Sequence, residues 1–509
     1  MIWLLLIGIL TYFIVQRSVA NITRTPVWLL WLVMMLPAFT WVGWLAVNGG
    51  KGDDYQLLLL LMGAFVISST LYWFLVQWGR PVKPNSVNPN PVEGKLQTGA
   101  MQEPIAKVPP ESRSTLRPMN KEEEASLQNC FPWSVYYLQT IEHRPQALIC
   151  RGQLRTSPEV AYKTVQENIE AHFSDRFLVV FQEGLNGKPF FALVPNPQSK
   201  AEPKVVPPEG ARSQPEKLTR PIVALALVLA TLLTTTLAGA MMDKSPEEMP
   251  KTLSELQLGL PYALSIMVIL GIHELGHYLT ARRYRIRATL PYFIPVPPAS
   301  VFPFGTFGAF IQLRSPIPNR KALFDVGIAG PLAGFIVTLP ILLWGLAHST
   351  PIPASDQSGL LNFASFKPAS SLLITLFSKL ALGSTLGAEQ ALRLHPVAIA
   401  GCLGLVITAL NLMPIGQLDG GHIVHAMFGQ RVGATIGQIS RLLILALSFI
   451  QKELFLWALL LFLMPVVDEP ALNDVSDLDN RRDFLGLSTL CLLISIILPA
   501  PQALMQILF

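Results

Sequence analysis

The interpretation of this chain starts from one stretch of sequence, Gly271-Ile272-His273-Glu274-Leu275-Gly276-His277. On a helix, two histidines four residues apart present both imidazoles on one face, one turn apart, as a zinc site requires. Glu274, beside the first histidine, is placed to take a proton from a water that the metal polarises. The stretch therefore predicts a helical zinc site, and a chance match of three fixed positions is the alternative.

The residues around this motif, 258–281, are apolar enough and numerous enough to cross a bilayer. Two histidines and a glutamate at that depth are costly unless they pair with one another or bind a metal. A third ligand is expected in another apolar segment, 396–413, which runs into Asn411-Leu412-Met413-Pro414-Ile415-Gly416-Gln417-Leu418-Asp419-Gly420-Gly421. Asp419 is the candidate, with a helix cap as its alternative role. His422 and His425 are alternative candidates for the third ligand. A supporting role beside the ligands would suit these two histidines equally well.

The composition favours a polytopic membrane protein. Of 509 residues, 51% are hydrophobic and only 14% are charged, whereas a soluble globular chain has about 25% charged residues. The net charge of +5 does not indicate a nucleic-acid partner. Four scattered cysteines without a CxxC pair predict neither a disulfide framework nor a cysteine zinc site.

The order of apolar and polar segments predicts five regions. Residues 1–79 hold three spans (2–16, 27–47 and 55–78), and a proline-rich linker, 80–118, follows. Helix and strand patterns in 119–197 predict a small α+β domain between the third and fourth spans, followed by a second linker, 198–220. Residues 221–509 hold the remaining spans, at 221–242, 258–281, 324–347, 396–413, 442–450, 454–464 and 485–498, with a surface helix at 370–382.

Two further features concern topology and substrate access. The basic cluster Arg282-Arg283-Tyr284-Arg285-Ile286-Arg287 predicts a cytoplasmic end, which places the α+β domain on the cytoplasmic side. Residues 288–313 carry no charge but contain five prolines, which predicts a re-entrant hairpin beside the motif helix, or alternatively an interfacial loop.

Together the motifs resemble the site-2 protease family of M50-type intramembrane zinc metalloproteases. The chain is further similar to the chloroplast and cyanobacterial EGY-like branch of that family, over residues 120–500. The features that carry this similarity are Arg151-Gly152-Gln153-Leu154-Arg155, the proline-rich hairpin, Gly330-Pro331-Leu332-Ala333-Gly334 and Asp468-Glu469-Pro470-Ala471-Leu472-Asn473-Asp474-Val475.

The resemblance implies an α-helical membrane core that binds one Zn²⁺ through His273, His277 and Asp419, with Glu274 as the general base. It implies an endopeptidase that cuts membrane-spanning proteins in a cyanobacterial plasma or thylakoid membrane or a chloroplast membrane. A non-proteolytic chaperone or scaffold of the same fold is the alternative. A metal transporter is disfavoured, because the sequence holds no second copy of the motif.

Three residues are expected to bind the substrate. The amide of Asn411 can both donate to and accept from an unwound substrate backbone. The extended stretch 305–313, with Gly305 and Gly308, could pin the substrate by pairing along a strand edge.

Overall fold

The computed structural model describes residues 25–48, 121–144, 147–184, 187–196, 199, 220–242, 250–298, 303–354, 363–387, 390–449 and 454–508, together with isolated positions between 8 and 75. The predicted spans 2–16 and 55–78 and both linkers lie mostly or wholly outside the described residues. By contact, the chain divides into residues 1–110 and 111–509.

The N-terminal unit contains a span broken at a proline. Helices α1 (Val27–Met34) and α2 (Leu36–Asn48) pass as one apolar span but are bent by 44°. Pro37 has no backbone N–H to donate to the carbonyl of Val33. That carbonyl instead accepts a hydrogen bond of 2.7 Å from the hydroxyl of Ser68. The predicted span 27–47 is therefore present as two helices rather than one.

The α+β domain is a four-stranded antiparallel sheet with a helix on one face. Its elements are α3 (Lys121–Asn129), β1 (Tyr136–Arg144), β2 (Ala147–Leu154), α4 (Pro158–Phe173), β3 (Phe177–Glu183) and β4 (Pro189–Pro195), and the strand order is β1-β2-β4-β3. The rings of Phe181 and Phe191 stack at 4.1 Å in a core that excludes water. Burial raises the pKa of the Cys150 thiol to about 12, so this cysteine is a packing residue and not a nucleophile.

The sequence Arg151-Gly152-Gln153-Leu154 lies on β2, opposite an irregularity in β1 between Leu138 and Thr140. A Cβ atom at Gly152 would lie 2.2 Å from the carbonyl oxygen of Tyr137, so the close approach of the two strands requires glycine there. The structure gives no account of Gln153.

The membrane core is helical, with two small strand pairs. Its helices are α5 (Pro221–Met241), α6 (Leu253–Gln257), α7 (Leu260–Arg283), α8 (Arg320–Ala347), α9 (Leu372–Leu382), α10 (Pro396–Leu412), α11 (Asp419–Phe428), α12 (Gln430–Ser448), α13 (Phe455–Leu463), α14 (Asn480–Ile497) and α15 (Gln502–Leu508), and its strand pairs are β5 (Tyr292–Pro295) with β6 (Thr306–Phe310) and β7 (Thr350–Pro353) with β8 (Gln390–Arg393).

Three segments in the described chain are long and apolar enough to cross a membrane: Pro221–Met241, Leu253–Arg283 and Arg320–Ala347. These match the predicted spans at 221–242, 258–281 and 324–347. Helix α10 is apolar but has only 17 residues, and α14 with α15 forms a pair bent by 85°.

The predicted span at 442–450 overlaps a longer helix with a polar first half. Residues 442–448 are the end of α12, which begins at Gln430 and has 19 residues. Its buried stripe includes Arg441, whose guanidinium donates to the carbonyl of Met464. Because the first half of α12 is polar on one face, hydropathy alone detected only the second half.

The described part of residues 288–313 contains the strand pair β5–β6, and it packs against helices. The hydroxyl of Tyr262 on α7 donates to the carbonyl of Phe304 at 2.9 Å. The hydroxyl of Thr234 on α5 donates to the carbonyl of Gly305 at 2.7 Å. Non-helical backbone in a membrane core needs such protein cover, because lipid offers no hydrogen bonds.

Candidate metal centre

The two histidines of α7 and the aspartate that begins α11 converge. Nε2 of His273 lies 3.2 Å from Nε2 of His277. Oδ2 of Asp419 lies 3.4 Å from the first nitrogen and 3.3 Å from the second. Across the described residues, no other group of three histidine, cysteine or acidic side chains brings its ligand atoms within 4.8 Å of one another.

These separations fit a zinc ion. Ligand atoms about 2.0–2.1 Å from a tetrahedral zinc lie about 3.3–3.4 Å from one another. Two imidazole nitrogens and one carboxylate oxygen also form a donor set that leaves the fourth position open. The arrangement therefore suits one zinc ion, held by His273, His277 and Asp419.

A backbone carbonyl fixes the orientation of His277. Nδ1 of this ring lies 2.7 Å from the carbonyl oxygen of Val326 on α8 and donates to it. Because the proton is then on Nδ1, the lone pair of Nε2 points toward His273 and Asp419. Sequence reasoning missed this partner, since a backbone carbonyl has no sequence signature.

Helix α8 makes room for both imidazoles with glycines. A Cβ atom at Gly330 would lie 2.1 Å from Nε2 of His277. At Gly334 it would lie 3.1 Å from Nδ1 of His273. The small-residue stretch that the sequence shows at 330–334 thus has a specific role, which is to let α8 approach the ligand face of α7.

Asp419 does not cap its helix. The residue before it, Leu418, is the N-cap of α11, and the carboxylate of Asp419 faces the two imidazoles. The break before α11 is tight, because a Cβ atom at Gly420 would lie 1.9 Å from the carbonyl oxygen of Leu412. Glycine at this position therefore lets the aspartate reach the centre.

Glu274 is buried beside this centre, with 7% of its surface exposed. The backbone of Ile311, just after β6, offers its carboxylate a hydrogen bond. The hairpin and the motif helix therefore meet at the acidic side chain that the sequence singled out.

The three expected substrate-binding residues occupy different places. The side-chain nitrogen of Asn411 lies 3.3 Å from Nε2 of His273, so its amide reaches the centre itself. Gly305 lies against α5, where a Cβ atom would be 2.6 Å from the carbonyl oxygen of Thr234. Gly308 has φ +108° and no atom within 4 Å of its Cβ position, so this part of β6 is open.

His422 and His425 lie outside the ligand set. Nδ1 of each ring lies 2.8 Å from Oδ2 of Asp468. Their positions therefore favour the second role that the sequence allowed, which is to support the centre without binding the metal. Sequence reasoning did not find their aspartate partner, which is more than 40 residues away along the chain.

Comparison with known proteins gives one family. Residues 261–450 match the model of Peptidase family M50, and this range contains His273, His277 and Asp419. No solved structure matches the chain.

Several curated plant proteins are similar to this chain. Probable zinc metalloprotease EGY1, chloroplastic, of Arabidopsis thaliana is 29% identical over 70% of this chain and 66% of its own length. Probable zinc metalloprotease EGY2, chloroplastic, of Oryza sativa subsp. indica is 28% identical over 73% and 65%. EGY1 of Oryza sativa subsp. japonica is 35% identical over 50% and 43%.

The chain thus spans slightly less than two thirds of the length of the first two relatives and less than half of the third. Its family match includes both halves of the metal centre, from the motif helix to α11. The chain therefore contains a Peptidase family M50 domain, of the site-2 protease type, and is homologous to the chloroplast EGY zinc metalloproteases.

Proposed function

We propose that this protein is an intramembrane zinc endopeptidase that hydrolyses peptide bonds of membrane-spanning proteins. The observation that carries the proposal is the convergence of His273, His277 and Asp419 with Glu274 beside them. Two of the contributing helices, α7 and α8, belong to segments long enough to cross a bilayer. The relatives' printed names, which describe probable zinc metalloproteases, support the same reaction.

Zinc bound at this centre would polarise a water molecule and the substrate carbonyl. Glu274 takes the proton from that water, and the same carboxylate then gives it to the departing amine. The hydrogen bond from Ile311 and the buried position restrict the motion of this carboxylate. Val326 keeps the lone pair of His277 directed into the centre.

A substrate helix must unwind before its peptide bond can be cut, because its backbone groups are paired within the helix. Strand β6 pairs with β5 along one edge and with no other described strand, so its second edge suits pairing with an extended substrate segment. Asn411, at the centre, is placed to bind the unwound backbone near the scissile bond. Gly305 anchors the hairpin to α5 and so acts on the substrate only through β6.

We further propose that the α+β domain and Arg282 and Arg283, in the last turn of α7, face the cytoplasm or stroma. The membrane that we propose is a chloroplast membrane, as the relatives' printed names suggest, or a cyanobacterial plasma or thylakoid membrane. His277, the ligand nearer to this basic end of α7, lies less than two turns before Arg282.

The reaction is tested with the full chain in detergent, comparing wild type with Glu274→Gln. Bound zinc is measured together with cleavage of a model transmembrane substrate. We expect the variant to retain zinc and to lose cleavage by about 10²-fold or more, as for loss of a general base. Equal cleavage by both proteins would overturn the proposed function.

The role of β6 is tested with Gly308→Pro. Proline removes a backbone N–H from the strand and cannot adopt φ +108°. We expect cleavage to be lost while zinc binding persists. Cleavage at the wild-type rate would show that the substrate is not held by β6.

A further inference from the structure

A second cluster of histidine and aspartate side chains lies on the far part of α11. His425 is 1% exposed, and its ring stands between two carboxylates. Its Nδ1 lies 2.8 Å from Asp468, and its Nε2 lies 2.9 Å from Asp474. Because both ring nitrogens face carboxylates, both are proton donors, and the side chain is an imidazolium held between two anions.

Both aspartates belong to residues 468–476, which we name the tether segment. This segment also binds the α+β domain. The backbone N–H of Phe181 on β3 donates to the carbonyl of Leu472 at 2.7 Å, and that of Asp474 donates to the carbonyl of Phe181 at 2.9 Å. The side chain of Val475 packs against the core of the domain. The tether segment therefore extends the sheet beyond β3.

The opposite side of the tether segment binds the chain that enters α8. The N–H of Leu472 donates to the carbonyl of Ile317 at 2.9 Å, and the N–H of Asn473 donates to the carbonyl of Pro318 at 3.0 Å. The guanidinium of Arg320, at the start of α8, donates to the carbonyl of His425 at 3.2 Å. The α+β domain is thus connected to both helices, α8 and α11, that shape the metal centre opposite α7.

Helix α11 connects the two clusters mechanically. It has ten residues, begins at Asp419 and contains His425 two turns later. Its first residues are packed without free space, since a Cβ atom at Gly421 would lie 2.1 Å from the carbonyl oxygen of Gly416. A displacement at His425 therefore moves Asp419 with the helix, because so short a helix behaves as one rigid element.

We propose that His425 is a positioning residue, which holds the Asp419 carboxylate in place through α11, and that docking of the α+β domain on the tether segment sets that position. The inference rests on the proposed function, because it describes how the same site is controlled. It assigns the α+β domain a regulatory role: only the docked domain gives a fully formed centre.

The test uses three variants of the full chain. Asp474→Asn preserves the shape of the side chain but removes one of the two anions beside His425. Val475→Asp places a charge against the core of the α+β domain and should undock it from the tether segment. Glu469→Gln is the matched control, because it makes the same change from carboxylate to amide within the tether segment and its side chain is exposed.

Three properties are measured: kcat and KM for a model transmembrane substrate, zinc affinity by competition with a chelator, and the visible absorption spectrum of the Co²⁺-substituted protein. We expect Asp474→Asn and Val475→Asp to lower kcat and zinc affinity by about 10- to 100-fold, as for loss of a group that orients a ligand. KM should change little, because neither variant touches β6. The cobalt spectrum should shift in both variants and stay unchanged in Glu469→Gln.

Hydrogen exchange at β3 shows whether the domain has undocked. If Val475→Asp exposes β3 while zinc affinity, cobalt spectrum and kcat all stay at wild-type values, the positioning role is wrong. Failure of the proposed function has a different signature, since Glu274→Gln would then cleave as fast as wild type. The zinc and cobalt measurements decide the positioning role in either case.

Discussion

Two clusters built from the same residue types lie close together in this protein, and their geometry separates them. In the metal centre, two imidazole nitrogens and a carboxylate oxygen lie 3.2–3.4 Å from one another and face a common point. In the second cluster, Nδ1 of His422 and Nδ1 of His425 both lie 2.8 Å from Oδ2 of Asp468, and Nε2 of His425 lies 2.9 Å from Oδ1 of Asp474. The first arrangement suits a shared cation, and the second satisfies its charges by direct pairing.

The difference teaches that residue type alone does not identify a metal ligand. His422 and His425 follow Asp419 closely in the sequence, and composition gives no reason to prefer one histidine over another. What separates them is the distant partner that each nitrogen meets. Four changes test whether the first cluster binds the metal while the second stabilises the structure by ion pairing.

Gly330→Ala should have the largest effect. The new methyl group would lie 2.1 Å from Nε2 of His277, at the position that a metal ligand needs. We expect loss of stoichiometric zinc even at saturating metal and loss of all cleavage, measured by metal analysis and a substrate assay. Gly43→Ala is the control, because no atom lies within 4 Å of its Cβ position. Full zinc occupancy in Gly330→Ala would contradict the proposed ligand geometry.

Asp468→Asn should act on the second cluster and leave the ligand set complete. Its carboxylate accepts hydrogen bonds from both His422 and His425. Removing one partner of a buried ion pair costs about 3–5 kcal/mol, so the thermal unfolding midpoint should fall. We expect zinc to reach full occupancy when metal is added in excess, unlike in Gly330→Ala. Absence of zinc at any metal concentration would mean that the two clusters cannot be separated in this way.

Alkaline pH should weaken only the second cluster. Burial alone would lower the pKa of His425, but hydrogen bonds to Asp468 and Asp474 outweigh it and raise the pKa to about 9. A raised pKa means that the stabilisation is complete below about 6.5, the unfolded value, and is lost as the pH rises through about 9. The other polar groups near the ring are His422, which shares Asp468, and the guanidinium of Arg320.

This expectation is measured as the difference in unfolding midpoint between wild type and His425→Gln. The difference should be largest at or below about pH 6.5 and should shrink as the pH rises toward about 9, because the glutamine has no proton to lose. A difference that stays constant across this range would exclude an imidazolium at position 425.

Lys321→Gln should have the smallest effect. Lys321 at the start of α8 and Glu159 on α4 form an ion pair of 2.7 Å between the membrane core and the α+β domain, but both side chains are partly exposed to solvent. Such pairs contribute about 0–1 kcal/mol and weaken with salt. We expect a slight increase in hydrogen exchange at β3 in low salt and none in high salt. A large loss of protection from hydrogen exchange at β3 would contradict this expectation, because it would mean that the exposed pair contributes strongly to docking.

The sequence predicted the features that depend on local spacing. The motif helix, the third ligand, the strands of the α+β domain and the hairpin at 288–313 all follow from periodicity, charge and proline placement. Each of these signals is contained in a short window. Asp419 became a candidate ligand because a carboxylate in an apolar, glycine-rich break is conspicuous.

The features that sequence reasoning missed depend on contacts between distant segments. Nothing near His425 indicates that Asp468 and Asp474 will reach it, and nothing near Phe181 indicates that Leu472 will lie beside β3. The amphipathic pattern of α12 was hidden because its apolar half resembles a short span. The hydrogen bond from Thr234 on α5 to Gly305 could not be predicted from the sequence of the hairpin alone.

The pairing of β3 with the tether segment has a consequence for the order in which the protein is made. The α+β domain leaves the ribosome early, whereas Leu472 and Asp474 are synthesised only after nearly all of the membrane core. At about 5–20 residues per second, β3 stays uncovered for on the order of tens of seconds. His425 is synthesised shortly before both aspartates, so it lacks its carboxylates for only about 2–10 s at the end of that time. The second cluster therefore forms late, when the last helices of the core are already being added.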